Sequence, residues 1–173
     1  MSGLMELKAR VGSNIILLGT LKMTKTHDLL IGKEWRKSAH TIPIVNPYTE
    51  EAFAEVCLAD PAEIELAIDL SDKAFQKTRV LPAYRRSQIC AEVARGIKAR
   101  SEGFAQIIAQ ESGKPLVYAR AEVSRSISTF EIASQEALRL DGEMLTLDIT
   151  EAAQGKSGLT RRFPIGPIAG ISP

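Results

Sequence analysis

Aromatic residues are scarce: five Phe, three Tyr and one Trp make 5% of the 173 residues. That leaves little material for a surface on which nucleic-acid bases could stack. Net charge is nearly absent too, at +1, so no bulk electrostatic pull toward nucleic acid or an anionic membrane follows. Only two cysteines occur, Cys57 and Cys90, and neither has a CxxC partner. A disulfide framework and a cysteine zinc site are therefore disfavoured, and a reducing cytoplasm fits this usage. Each thiol reads first as a small buried apolar group rather than a nucleophile. His27 and His40 lack an i, i+4 partner or a nearby cysteine cluster, so metal ligation is disfavoured. There is no GxGxxG, no internal repeat, no low-complexity tract and no apolar run of membrane-spanning length.

What is present is ordinary for a folded protein: 45% apolar and 25% charged residues. The first 26 residues stand apart. Lys8 and Arg10 precede an apolar stretch with the outline of a signal peptide, but Gly12, Ser13 and Asn14 interrupt it and no small-x-small cleavage site follows. The favoured reading is a disordered extension or an upstream start, with Met23 as an alternative beginning; export is the competing reading.

From residue 28 onward the pattern alternates between strand and helix. Asp28–Lys33 is short and apolar, Glu34–Ser38 reads as a turn into a second edge, and Thr41–Val45 is extended. Pro43 cannot donate to a ladder, so that strand belongs at a sheet edge. Asn46–Glu51 is a turn cluster and Ala52–Leu58 alternates as a strand. Asp60-Pro61-Ala62-Glu63 opens a helix to about Lys77: Asp60 caps, Pro61 suits the first turn and Glu63 holds the capping-box position. Ile64, Ala67, Ile68, Ser71 and Phe75 mark its expected buried stripe. A second helix begins at Leu81-Pro82, with a break near Arg100–Glu102, and stops at Ser112-Gly113-Lys114-Pro115. A third runs from about Pro115 to Leu140, buried along Val123, Ile127, Phe130, Ser134, Ala137 and Leu138. Met144–Ile149 and Thr160–Phe163 read as strands, and Ile165–Ile171 as the entry to a buried strand. In a βαβ arrangement such a strand would open a parallel sheet. Lys114 is expected to cover helix-end carbonyls beside Glu111. The Arg85-Arg86 and Arg161-Arg162 pairs are expected on solvated faces.

Six segments occur in a telling order: Gly32-Lys-Glu-Trp35, Val45-Asn-Pro-Tyr-Thr-Glu50, Glu111-Ser-Gly-Lys-Pro115, Ala121-Glu-Val123, Leu140-Asp-Gly-Glu143 and Arg161-Arg-Phe-Pro-Ile-Gly-Pro-Ile-Ala-Gly-Ile-Ser-Pro173. In that order they resemble the N-terminal portion of the NAD(P)-dependent aldehyde dehydrogenase superfamily, nearest the lactaldehyde and succinate-semialdehyde type. The resemblance covers about residues 27–173. It implies an incomplete α/β fold: N-terminal strands, three long helices, then a C-terminal hairpin and first sheet strand. It places the start of an oligomerisation arm at about 143–164, and the rest of 27–173 in part of a cofactor-binding domain.

The implied reaction is oxidation of an aldehyde to a carboxylic acid. A cysteine thiolate attacks the carbonyl, hydride passes to NAD or NADP, and a glutamate activates water. By the resemblance, that cysteine and glutamate lie beyond Pro173, and neither Cys57 nor Cys90 occupies a matching motif. No catalytic residue is therefore assigned here, and the chain is expected to be truncated and inactive alone. The resemblance assigns Ile171, Ser172 and Pro173 a main-chain edge of the cofactor site. A small-molecule aldehyde is the implied substrate of the complete enzyme, and a homo-oligomer or a complementary chain the implied partner. The alternative is a non-catalytic module that associates with a complementary or full-length aldehyde dehydrogenase chain.

Overall fold

The structure, a computed structural model, describes residues 25–171 together with the backbone of 8–11 and 14–17. Strands β1 (Lys8–Val11) and β2 (Asn14–Leu17) pair antiparallel. The expected extension otherwise falls outside the described residues, except that Lys25 and Thr26 already belong to a strand, β3 (Lys25–His27). Lys-Thr-His has no apolar alternation; its ladder with Ala54–Val56 is what makes it a strand.

A three-stranded sheet anchors the N-terminal half. Its centre is β7 (Ala52–Cys57), flanked by β3 in parallel and by β6 (Thr41–Val45) antiparallel. Pro43 thus sits on an edge strand, where its missing N–H disrupts no second ladder. The turn between β6 and β7 is held by Asn46, whose side-chain oxygen accepts from the backbone N–H of Tyr48 at 2.9 Å. A separate hairpin joins β4 (Leu29–Ile31) to β5 (Glu34–Arg36). Glu34–Arg36 is therefore strand rather than turn; the turn lies at Gly32-Lys33, where Gly32 has φ of 65°.

Helix α1 (Pro61–Thr78) begins as its capping box requires. The Asp60 carboxylate accepts from Glu63 N–H at 2.8 Å, and the Glu63 carboxylate accepts from Asp60 N–H at 3.0 Å. Its inner face differs from the expected one. Ile64 and Ile68 are 50% and 55% exposed, whereas Leu66 and Leu70 are half-buried. The helix carries two apolar stripes, and the one that meets β4 is the Leu66–Leu70 stripe: Leu70 reaches the backbone at Gly32.

The remaining helices form an α-helical layer: α2 (Ala83–Ala99), α3 (Ser101–Ser112) and α4 (Leu116–Glu136). The expected second helix is two, broken at Arg100, where φ of −117° and ψ of 19° leave the helical region. Gly113 takes the left-handed conformation, φ 66°, that ends α3. Helix α4 stops at Glu136, before Asp141-Gly142. Its last turn tightens, with Leu138 N–H donating to Gln135 O and Arg139 N–H to Glu136 O. Leu138 consequently lies past the helix and is exposed. The core cluster is Ala105, Ala119 and Val123, with Ile97, Phe104, Ile108, Leu116 and Ile127 packed around it. Alanine at both 105 and 119 lets α3 and α4 approach closely.

Beyond α4 the chain opens out. Strands β8 (Met144–Thr146) and β9 (Ser157–Leu159) form a hairpin with a single 3-10 turn, Glu151–Ala153, between them. Glu143 and Thr160 close its base, Thr160 N–H donating to Glu143 O and Glu143 N–H to the Thr160 hydroxyl, both at 2.8 Å. A Cβ at Gly142 would collide with the Thr160 carbonyl. Residues 160–163, expected as a strand, are irregular because pairing ends at Leu159. The expected strand 165–171 is also irregular: a parallel strand draws its hydrogen bonds from neighbours, and none pairs with it among the described residues.

The chain exposes 14620 Å². A compact monomer of this mass exposes about 8,300 Å². Removing about 160 Å² for every residue whose side chain lies outside the described residues still leaves an excess of about 2,100 Å².

The tightness of the helical core is testable. Ala119 is fully buried and Ala121, on the same helix, is exposed. Ala119→Leu should lower the free energy of unfolding by about 1–3 kcal/mol, against about 0.5 kcal/mol or less for Ala121→Leu, in equilibrium urea denaturation.

Candidate functional site

The residues assigned to a cofactor edge lie at the end of the irregular tail. Ile171 is 98% exposed; Ser172 and Pro173 fall outside the described residues. Beyond the adjoining residues, no described atom lies within 4 Å of a Cβ built on Gly170 or Gly166. The described residues thus bring nothing up to Ile171 and form no cradle for a dinucleotide there.

The thiols are placed as structural groups. Cys57 ends β7, is 6% exposed, and its Sγ accepts from the Ser38 N–H at 3.4 Å. Cys90 is half-buried on α2. Both are free, and among the described residues no histidine or other base is hydrogen-bonded to either. His27 and His40 are exposed, and among the described residues no group of three or more His, Cys, Asp or Glu gathers as a metal site.

Polar organisation is concentrated between the helices. Lys114 does not cover carbonyls as expected: its Nζ sits 2.7 Å from Glu122 Oε2. Pro115 caps α4 directly after Lys114, so just under two helical turns bring Glu122 alongside. Arg120 and Glu102 form a two-point pair joining α4 to α3, Nε to Oε2 at 3.0 Å and Nη2 to Oε1 at 2.8 Å. The Arg120 guanidinium holds the Glu102 carboxyl below the usual range, first by its hydrogen bonds and also by its charge, despite some desolvation. Lys114 lowers Glu122 in the same way.

Arg86 departs from the solvated-face expectation, while Arg85 stays exposed and donates to Gln88. The Arg86 guanidinium reaches the Leu81 carbonyl at 2.7 Å and the Ala137 carbonyl at 3.5 Å, tying the start of α2 to the end of α4. Beside it the Ser134 hydroxyl donates to the Ser87 carbonyl at 2.9 Å. A serine inside the apolar stripe of α4 was the sequence signal for this tie. These clusters fasten the helices to one another.

Comparison with known proteins decides the family. The aldehyde dehydrogenase family profile matches residues 35–173. The chain belongs to the aldehyde dehydrogenase family. Among its relatives, 3-sulfolactaldehyde dehydrogenase of Priestia aryabhattai is 29% identical over 154 residues, 89% of this chain and 32% of that protein. Lactaldehyde dehydrogenase of Methanocaldococcus jannaschii is 32% identical over 130 residues, 75% of this chain and 27% of that protein. Among solved structures, aldehyde dehydrogenase 21 of Physcomitrella patens, in complex with the reaction product succinate, superposes with a TM-score of 0.75 at 32% identity. That superposition covers 79% of this chain and 29% of the other. The NADP-dependent glyceraldehyde-3-phosphate dehydrogenase of Bacillus halodurans, complexed with NADP, gives 0.76 at 28% identity, over 82% of this chain and 30% of that one. This aldehyde dehydrogenase chain therefore spans about a third of the length of the relatives it matches.

The two ion pairs give a pH test. A carboxylate lowered in the folded state adds stability above its unfolded value, near 4.5 for glutamate, and loses it as pH falls through the lower folded value. Glu102→Gln/Glu122→Gln should flatten the fall in thermal midpoint below about pH 4.5 relative to wild type. Parallel profiles for the two proteins would contradict the pairing.

Proposed function

We propose that this chain supplies the N-terminal strands and helices of an NAD(P)-dependent oxidoreductase that oxidises an aldehyde to a carboxylic acid, and that it does not turn over alone. The single observation that carries the reading is the family match over residues 35–173. The NADP complex of a structural neighbour supports the cofactor. Related proteins named for sulfolactaldehyde and lactaldehyde support a small oxygenated aldehyde as substrate. Covalent aldehyde oxidation needs an accessible thiolate, a hydride acceptor beside it and a base for water. Cys57 is enclosed at the end of a strand and Cys90 is held on a helix, so neither thiol of this chain suits the first role. The main chain of Ile171, Ser172 and Pro173 contributes one edge of the cofactor site in the complete enzyme. The β8–β9 hairpin contributes to an oligomerisation arm there, and two free thiols suit a cytoplasmic setting. The purified chain, incubated with NAD or NADP and lactaldehyde or succinate semialdehyde, should produce no reduced nicotinamide; steady turnover would overturn the reading.

A second reading has an observation of its own. The excess exposed area and the outward Ile64, Ile68, Ile165 and Ile168 favour a non-catalytic module covered by a complementary or full-length aldehyde dehydrogenase chain. Co-expression of the tagged chain with a full-length aldehyde dehydrogenase should yield a stable complex on gel filtration. Separate elution of the two chains would remove this reading.

A further inference from the structure

We draw no further inference here: the strongest candidate, the outward apolar stripe of Ile64 and Ile68 on α1, carries nothing because nothing in the structure shows what covers it.

Discussion

Close approach of two helices at alanine is the contact on which the well-packed part of this protein depends. Ala105 and Ala119 are fully buried and Val123 nearly so, and the larger apolar residues around them are only partly covered. Burial stabilises in proportion to apolar area removed from water, about 25 cal/mol per Å². Alanines contribute little area themselves; their value is that they let Ile97, Phe104, Ile108, Leu116 and Ile127 converge. The polar ties at Arg86, Ser134, Lys114 and Arg120 fasten the same helices at their ends and edges. The exposed ion pairs add modestly, since water screens them.

Outside that layer the fold is thinly covered. Helix α1 meets β4 along one stripe and leaves its other stripe to solvent. Among the described residues the β8–β9 hairpin has two strands and so two open edges. The tail beyond Thr160 carries Phe163, Ile165, Ile168 and Ile171, all more than two-thirds exposed. Large contiguous apolar surfaces on folded proteins mark places that another surface covers. Membership of a family whose matched members are about three times as long gives that observation its setting. Among the described residues, nothing lies opposite Ile171, the one residue of the assigned cofactor edge that they include.

Local rules read from the sequence carried well where they act over a few residues. The Asp60–Glu63 box, the Pro43 edge strand, the Gly113 cap and the break near Arg100 all rest on short-range stereochemistry. Rules that need a partner did less well. Ile64 and Leu66 are equally apolar, and which of them turns inward is decided by β4, distant in the chain. Lys25–His27 is a strand because β7 offers it a ladder, not because its side chains alternate. Lys114 found a carboxylate eight residues on rather than helix-end carbonyls, a choice set by the turn into α4. Ile165–Ile171 has strand composition without a neighbour, and composition alone makes no hydrogen bonds. The family was legible from ordered motifs; the site was not, because Ile171 is the one assigned residue the structure describes.

Equilibrium unfolding of the chain in urea tests the central claim of thin coverage most directly, because the denaturant slope scales with the area exposed on unfolding. With at least about 2,100 Å² more surface exposed than a compact monomer of this mass, the slope should be no more than about nine-tenths of that for a compact domain of the same length. A full-sized slope with one sharp transition would mean that the chain closes its own core, and would contradict the account.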